Sequence, residues 1–207
     1  MENVKKIIVV AFMAVQSAIA FGQTAEATLQ KAFSASYANE YNKKYNDAIA
    51  DLTRLNEEEN YDINLRLGWL YYMNKSYAQS VTRYQKAATA KPYSVEAKLG
   101  LVKPLSAQEN WDKVSQQYAD ILKIDPQNTT ANYWAGVIHY NQKKYEQAGK
   151  LFEKIVNLYP FDYDATHMLA WTYLNMGRNN DAKVLFNKAL LIRPADPSAL
   201  SGLAKIK

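Results

Sequence analysis

Acid–base or metal chemistry in this sequence would have to come from two histidines and a short run of glutamates. The histidines are His139 and His167, and the run is Glu57, Glu58 and Glu59. The chain contains no cysteine, which excludes a disulfide, a thiolate metal site and a cysteine nucleophile. The histidines and carboxylates do not have the spacing of a structural zinc site, and neither a glycine-rich phosphate loop nor a Gly-x-Ser-x-Gly motif occurs. We therefore expect no cofactor, no metal and no catalytic residue.

The overall charge is small for a protein that binds nucleic acid. Lys and Arg number 25 against 20 Asp and Glu, which gives a net charge of +5. This balance provides no basic stripe, so we expect no nucleic-acid partner. With 207 residues and only seven glycines and six prolines, the chain is long enough for one domain with a real core and has no room for long low-complexity linkers.

The first 22 residues have the layout of a secretory signal peptide. Two lysines precede the apolar run IIVVAFMAVQSAIAF, and small residues follow at Ala18, Ala20 and Gly22. A charged start, an apolar middle and a small-residue cleavage site predict that residues 1–22 are removed, with cleavage after Ala20 or after Gly22. The alternative is an uncleaved anchor helix, which is disfavoured because a span needs roughly 20 apolar residues. We expect an exported, most simply periplasmic, protein with no membrane span after cleavage.

The chain after residue 60 repeats itself every 34 residues. Prolines show the period most clearly, and aromatic, aliphatic and small residues keep step with them. The equivalent sets are Pro92, Pro126, Pro160 and Pro194; Tyr84, Tyr118, Phe152 and Phe186; Ala87, Ile121, Ile155 and Ala189; and Ser80, Val114, Ala148 and Ala182. A period of this length indicates stacked units, each of which needs its neighbours to bury its apolar faces.

Within each repeat the spacing of apolar residues predicts a pair of helices. Leu67 and Tyr71 share one face of a first helix, and Ser80 and Tyr84 share one face of a second. The recurring proline ends the second helix because proline cannot continue one. Pro104 falls inside a first helix, where it is either a tolerated irregularity or a bend that reshapes the surface.

This period and pattern resemble the tetratricopeptide repeat, a helix pair of 34 residues with small, aromatic and proline positions at fixed offsets. The resemblance implies an all-α fold: a right-handed α-solenoid of helix-turn-helix repeats with a C-terminal capping helix. We place a degenerate first repeat at residues 23–60, full repeats at 61–94, 95–128, 129–162 and 163–196, and the capping helix at 197–207.

In that family the first helices of the repeats line a concave groove, and the resemblance therefore implies a protein-binding surface there. The groove positions are mostly apolar and aromatic, whereas solvent-facing helix positions are usually polar. The predicted partner-binding residues are Leu65, Trp69, Tyr72, Met73, Leu99, Lys103, Tyr133, Val137, Tyr140, His167, Trp171 and Leu174. We expect a non-enzymatic adaptor or scaffold of the cell envelope that binds a segment of another protein.

Three alternatives remain for this apolar surface. A tightly wound superhelix could bury the aromatics between its own repeats, or residues 23–60 could fold into the groove and fill it. The surface could also join copies of the chain, which would make the protein a self-associating structural subunit of an envelope or secretion assembly. A carboxylate clamp, which some members of the family use for chaperone tails, is disfavoured because only Lys103 is basic at the matching positions.

The repeat pattern also gives both histidines and the glutamate run a structural explanation. His139 has the position of Tyr71, where we expect a core imidazole with its hydrogen bonds satisfied. His167 faces the groove and is interpreted as a partner contact rather than a metal ligand. The glutamates fall in a predicted loop, where charged side chains are ordinarily solvated.

Overall fold

Eleven helices follow one another through the part of the chain that the computed structural model describes, residues 26–206. No strand occurs within that range. The helices are α1 (26–41), α2 (Tyr45–Thr53), α3 (Tyr61–Met73), α4 (Tyr77–Ala90), α5 (Val95–Ala107), α6 (Trp111–Ile124), α7 (Thr129–Asn141), α8 (Tyr145–Leu158), α9 (Tyr163–Asn175), α10 (Asn179–Ile192) and α11 (Pro197–Ala204). The expected all-α fold of consecutive helix pairs, with a final single helix, is confirmed. The predicted signal peptide, residues 1–22, lies outside the described residues.

Side-chain caps set where the first helix of each repeat begins. Asn60, Ser94, Asn128, Asp162 and Asp196 each precede such a helix, and each accepts a hydrogen bond from the backbone N–H three residues further on. A cap of this kind satisfies an amide that has no partner within the helix and contributes about 0.5–2 kcal/mol. Because the caps recur every 34 residues, the sequence starts each pair at the same point.

The turn inside each helix pair contains one residue of left-handed backbone. The φ angles of Lys75, Glu109, Lys143 and Gly177 are 60°, 57°, 61° and 74°. This conformation is unfavourable for a residue with a Cβ atom. Backbone hydrogen bonds across the turn offset its cost, such as the 2.8 Å bond from Ser76 N to the carbonyl of Tyr71.

The chain divides between residues 92 and 93 into two compact units. In the first unit, α1 packs against a core that α2 and α3 form with the following buried residues: Ala48, Ile49, Leu52, Ile63, Leu67 and Leu70. Gly68 lies directly against the ring of Tyr84, where an added Cβ would be 2.7 Å from Cγ. Ser80 Oγ donates to the carbonyl of Gly68 over 2.7 Å. Small residues therefore bring α3 and α4 into close contact, as the repeat pattern predicts.

The second unit contains α5 to α11. Its main core consists of three aromatic rings packed among small and aliphatic residues: Ala148, Phe152, Leu169, Ala170, Tyr173, Ala182, Phe186, Ala189 and Ala199. The α5 helix runs through Pro104, which is buried. None of the helices within residues 26–206 is both long enough and apolar enough to cross a membrane.

Candidate protein-binding site

A crevice of about 620 Å³ opens in the second unit among α5, α6 and α7. This volume lies within the range of sites that enclose a small ligand. The crevice is lined by Ser106, Trp111, Val114, Tyr118, Trp134, Val137, Ile138, Asn141 and Gln142. None of these side chains carries a charge at neutral pH, so the site is apolar with a few amide and hydroxyl groups.

Two tryptophans expose their rings beside this crevice. Trp111 is 58% exposed and Trp134 is 48% exposed. The Trp134 ring packs edge to face against Tyr133, with 5.3 Å between ring centroids. Trp111 has no aromatic ring packed against it within residues 26–206. Exposed tryptophans around a cavity are typical of protein contact sites, where Trp and Tyr often anchor the partner.

The crevice exists because one repeat lacks a large side chain that the others have. At the position of Ser106, the other repeats have Tyr72, Tyr140 and Leu174. Tyr140 packs against the core of the second unit, and its ring centroid lies 5.5 Å from that of Tyr145. In the first unit, Tyr72 and Tyr77 form the same kind of pair at 5.9 Å. Trp111 has the repeat position of Tyr145, but Ser106 has no ring to place against it.

The asparagine that bonds to Tyr140 has an equivalent in the wall of the crevice. The Nδ2 atom of Asn175 donates a hydrogen bond to the hydroxyl of Tyr140 over 3.0 Å. The equivalent asparagine one repeat earlier is Asn141, and it lines the crevice. The crevice thus keeps the amide but lacks the tyrosine that the amide contacts in the next repeat.

Burial also controls the ionisation of the tyrosine in the crevice wall. Loss of hydration raises the pKa of Tyr118 to about 12, because burial penalises the charged phenolate. A tyrosine hydroxyl is already protonated at neutral pH, so this shift only extends to higher pH the range in which the crevice is uncharged.

The predicted groove residues of the first unit make contacts within their own unit. Leu65, Trp69, Tyr72 and Met73 are all half-buried. The indole N–H of Trp69 donates to Glu40 Oε1 of α1 over 2.5 Å. The other oxygen of this carboxylate lies 2.5 Å from Nη2 of Arg66 as an ion pair, although the buried Nη2 has no hydrogen bond of good geometry. Helix α1 thus covers part of this surface.

The predicted groove residues of the second unit lie on α5, α7 and α9. Lys103 is exposed, and the others are half-buried: Leu99, Tyr133, Val137, Tyr140, His167, Trp171 and Leu174. The Trp171 ring packs edge to face against Phe186 with 5.2 Å between centroids, and Lys205 lies 5.1 Å above the Trp171 ring. These residues keep partly exposed faces while also packing within the unit, and their role in partner binding stays a prediction.

His167 is held in a hydrogen-bonded cluster. The indole N–H of Trp171 donates both to His167 Nε2 and to Ser198 Oγ, each over 3.1 Å. His167 Nε2 also lies 2.8 Å from Ser198 Oγ. Burial lowers the pKa of His167 and outweighs the carboxylates of Asp196 and Asp164, which raise it. A neutral imidazole with an unprotonated Nε2 suits this arrangement, because Trp171 can only donate.

His139 does not have the satisfied hydrogen bonds that the sequence predicts. Its ring is half-buried, and its Nδ1 is buried with no hydrogen-bond partner in the described part of the chain. Burial, with a smaller contribution from Lys144, lowers its pKa. The repeat position indicates the burial of a side chain but not whether a donor or acceptor lies opposite it.

Glu58, in the glutamate run, is more than a solvated loop residue. Its carboxylate bonds to Lys86 and lies 3.4 Å from Arg83, both on α4. The bond to Lys86 is the main cause that lowers the pKa of Glu58. Between residues 26 and 206, no group of three or more His, Asp or Glu side chains could hold a metal ion.

Sequence reasoning missed most of the crevice. It placed Val137 on the groove but did not connect it with the crevice residues contributed by α6 and by the end of α7. Those residues are Trp111, Val114, Tyr118, Ile138 and Gln142. The signal was present in the sequence, because Ser106 stands where two other repeats have tyrosine.

The successive helix pairs define a helical-repeat scaffold. A family model described as tetratricopeptide repeat matches residues 12–95 and 99–163, and a second model with the same description matches residues 139–206. The chain therefore belongs to the tetratricopeptide repeat family, whose fold is a scaffold for protein interactions.

Several known proteins are similar to this chain. A tetratricopeptide repeat protein from Parabacteroides merdae ATCC 43184 has a TM-score of 0.73 at 17% identity, over 87% of this chain and 72% of that chain. YrrB, a TPR protein with an unusual peptide-binding site, has a TM-score of 0.66 at 17% identity, over 80% of this chain and 87% of that chain. At this identity the similarity shows the fold alone.

A curated relative is similar over a shorter stretch. Anaphase-promoting complex subunit 3 of Schizosaccharomyces pombe (strain 972 / ATCC 24843) is 27% identical over 125 residues, which is 60% of this chain. The match spans only 19% of the length of that relative.

Proposed function

We propose that this protein is a non-enzymatic adaptor that binds a segment of a partner protein through the crevice among α5, α6 and α7. The observation that carries the proposal is the uncharged cavity with exposed tryptophans, Trp111 and Trp134, beside it. The partly exposed aromatics of α7 and α9 extend the surface available to such a segment. The family is built for protein interactions, and YrrB, which shares the fold, has a peptide-binding site.

The proposal extends to where the protein works. The charged start, apolar run and small residues of positions 1–22 support export, and an adaptor exported in this way would act in the cell envelope, most simply in the periplasm. N-terminal sequencing of the protein from its native cells tests this. A new N-terminus after Ala20 or Gly22 is expected, and an intact Met1 would contradict export with cleavage.

Site-specific photo-crosslinking tests the adaptor function. The photoreactive residue p-benzoylphenylalanine replaces Gln142, at the crevice, in one form of the full chain and Val184 in a matched control. Val184 is 66% exposed on α10 and lies outside the crevice. After illumination in native cells, we expect the Gln142 form to capture one specific protein that the Val184 form does not.

The other outcomes of this experiment argue against the proposal. Identical products from both positions, or none from Gln142, would contradict partner binding at the crevice. A product with twice the mass of the chain would instead support the alternative of a self-associating structural subunit. Light scattering at several protein concentrations then checks that alternative, because a self-associating chain gains mass with concentration whereas an adaptor without its partner does not.

A further inference from the structure

We propose that the crevice binds a tyrosine side chain of the partner segment, in the place where two other repeats supply their own tyrosine. This inference rests on the proposed adaptor function and specifies what the site recognises. The occupant is thus a polypeptide that presents an accessible tyrosine.

The space beside Ser106 corresponds to the one that Tyr140 fills one repeat later. Tyr140, one repeat after Ser106, inserts its ring between α7, α8 and α9 and contacts the ring of Tyr145. Successive repeats of a solenoid reproduce the same local geometry. A tyrosine ring placed in the crevice would therefore lie beside Trp111, whose face has no ring partner among the described residues. Aromatic pairs of this kind are favourable in edge-to-face and offset arrangements.

The crevice wall also offers a hydrogen-bond donor to a hydroxyl group. Asn175 donates to the phenol of Tyr140, and Asn141 stands at the equivalent place in the crevice wall. An incoming phenol can accept a hydrogen bond from the Asn141 amide, whereas a phenylalanine ring cannot. The crevice should therefore prefer tyrosine to phenylalanine.

The crevice carries no charge. All its lining side chains are neutral at neutral pH. A lysine, arginine, aspartate or glutamate entering the crevice would lose hydration with no ion pair to replace it. A tyrosine is apolar over its ring and needs only one polar partner, which matches the composition of the wall.

A second copy of this chain is the main competing source of a tyrosine. Tyr41 and Tyr93 are 89% and 83% exposed, and either could be presented by another molecule. The test must therefore separate binding of an added tyrosine analogue from self-association.

The experiment uses 4-methylphenol, which reproduces the tyrosine side chain, with the full exported chain labelled with ¹⁵N. The indole N–H signals of the four tryptophans are followed by NMR and assigned with single Trp→Phe variants. We expect saturable shifts of the Trp111 and Trp134 signals. The signals of Trp69 and Trp171, whose N–H groups bond to Glu40 and to His167 and Ser198, should stay in place.

Two substitutions at one position provide the control. Ser106→Tyr introduces the residue that two other repeats have, fills the crevice from within and should weaken 4-methylphenol binding at least about tenfold. Ser106→Ala removes only the hydroxyl and should leave binding nearly unchanged. Toluene, which lacks the hydroxyl, should bind several-fold more weakly than 4-methylphenol.

Each remaining outcome overturns the proposal. Equal shifts in the Ser106→Tyr and Ser106→Ala proteins, equal affinity for toluene, or no saturable shift would each exclude a tyrosine site. Movement of the Trp111 and Trp134 signals with protein concentration alone would assign the crevice to a second copy. If the tyrosine analogue fails to bind while crosslinking at Gln142 still captures a specific protein, the adaptor function stands and only the tyrosine site is lost.

Discussion

The amide of Asn175 and the hydroxyl of Tyr140 form a 3.0 Å hydrogen bond that joins the first helices of two successive repeats. The same tyrosine packs against Tyr145 at the turn of its own repeat. One repeat earlier, Ser106 can make neither contact. Whether the space between two successive repeats is filled or forms a crevice therefore depends largely on one residue of each repeat.

Replacing Tyr140 with serine should open a second crevice of the same kind. We expect Tyr140→Ser to lower the free energy of unfolding by about 2–4 kcal/mol, because it removes a packed ring and leaves a cavity. Tyr140→Phe keeps the ring, loses only the bond to Asn175 and should cost about 0.5–1 kcal/mol. Urea unfolding followed by circular dichroism measures both. Equal losses of unfolding free energy in the two variants would mean that the hydroxyl, rather than the ring, provides the stability at this position.

Two glycines of the second unit should respond oppositely to alanine. An added Cβ at Gly136 would lie 2.7 Å from Cε1 of Phe152, so Gly136→Ala should destabilise the fold by about 1–3 kcal/mol through overpacking. At Gly149 the nearest atom would be Thr172 Cγ2 at 3.6 Å, which is an ordinary contact. Gly149→Ala should therefore stabilise by about 0.5–1 kcal/mol through its better helix propensity. Thermal unfolding compares the two, and changes of the same sign would contradict the tight α7–α8 crossing.

Removing the charge of Glu40 should destabilise the first unit. Arg66 is only 8% exposed and is paired with this carboxylate, and its side chain also packs over the Tyr37 ring at 3.8 Å. We expect Glu40→Gln to cost about 1–3 kcal/mol, below the range for fully buried pairs because Glu40 is partly exposed. Glu59→Gln, at an exposed loop position, should change stability by less than about 0.5 kcal/mol. Similar effects in chemical denaturation would show that the ion pair does not hold α1 on α3.

Stability should fall when the pH decreases from about 7.5 to about 5.5, the range in which histidines titrate. Burial lowers the pKa of His167 in the folded state, and Arg193 adds to this while Asp164 and Asp196 oppose it. The unfolded chain then binds more protons than the folded chain, so the stability is complete above the unfolded pKa and is lost as the pH falls below it. The melting temperature measures this loss.

His167→Gln separates the contribution of this imidazole from that of His139, whose pKa is also lowered. We expect the variant to retain a polar group beside Trp171 and to show a weaker dependence of the melting temperature on pH. An unchanged dependence would assign the effect to His139 or to the carboxylates.

The sequence predicts the helices of this protein well because its period sets them directly. The 34-residue spacing places the caps from Asn60 to Asp196 and the close approach of Gly68 to Tyr84, since each is a local or within-repeat property. Contacts between repeats are harder to predict. The bond from Trp69 to Glu40 crosses from a regular repeat to a degenerate one, whose register the period does not define.

The crevice could not be predicted from the sequence for a related reason. A repeat pattern shows which face a residue occupies, but the crevice depends on side-chain sizes at three helices together. The small size of Ser106 has a visible consequence only once Trp111 and Asn141 are placed around it. The unpaired Nδ1 of His139 likewise depends on what lies opposite the ring.

Whether the partner enters the crevice is decided by the yield of the photo-crosslinked product from position 142 in two backgrounds, Ser106→Ala and Ser106→Tyr. Both forms are expressed in native cells, and circular dichroism checks that they are equally folded. If the partner binds in the crevice, the Ser106→Ala form captures the same protein as the parent. The Ser106→Tyr form then gives only a small fraction of the parent's crosslinked product. Equal capture by the two forms would contradict the account, because the partner would then bind without entering the crevice.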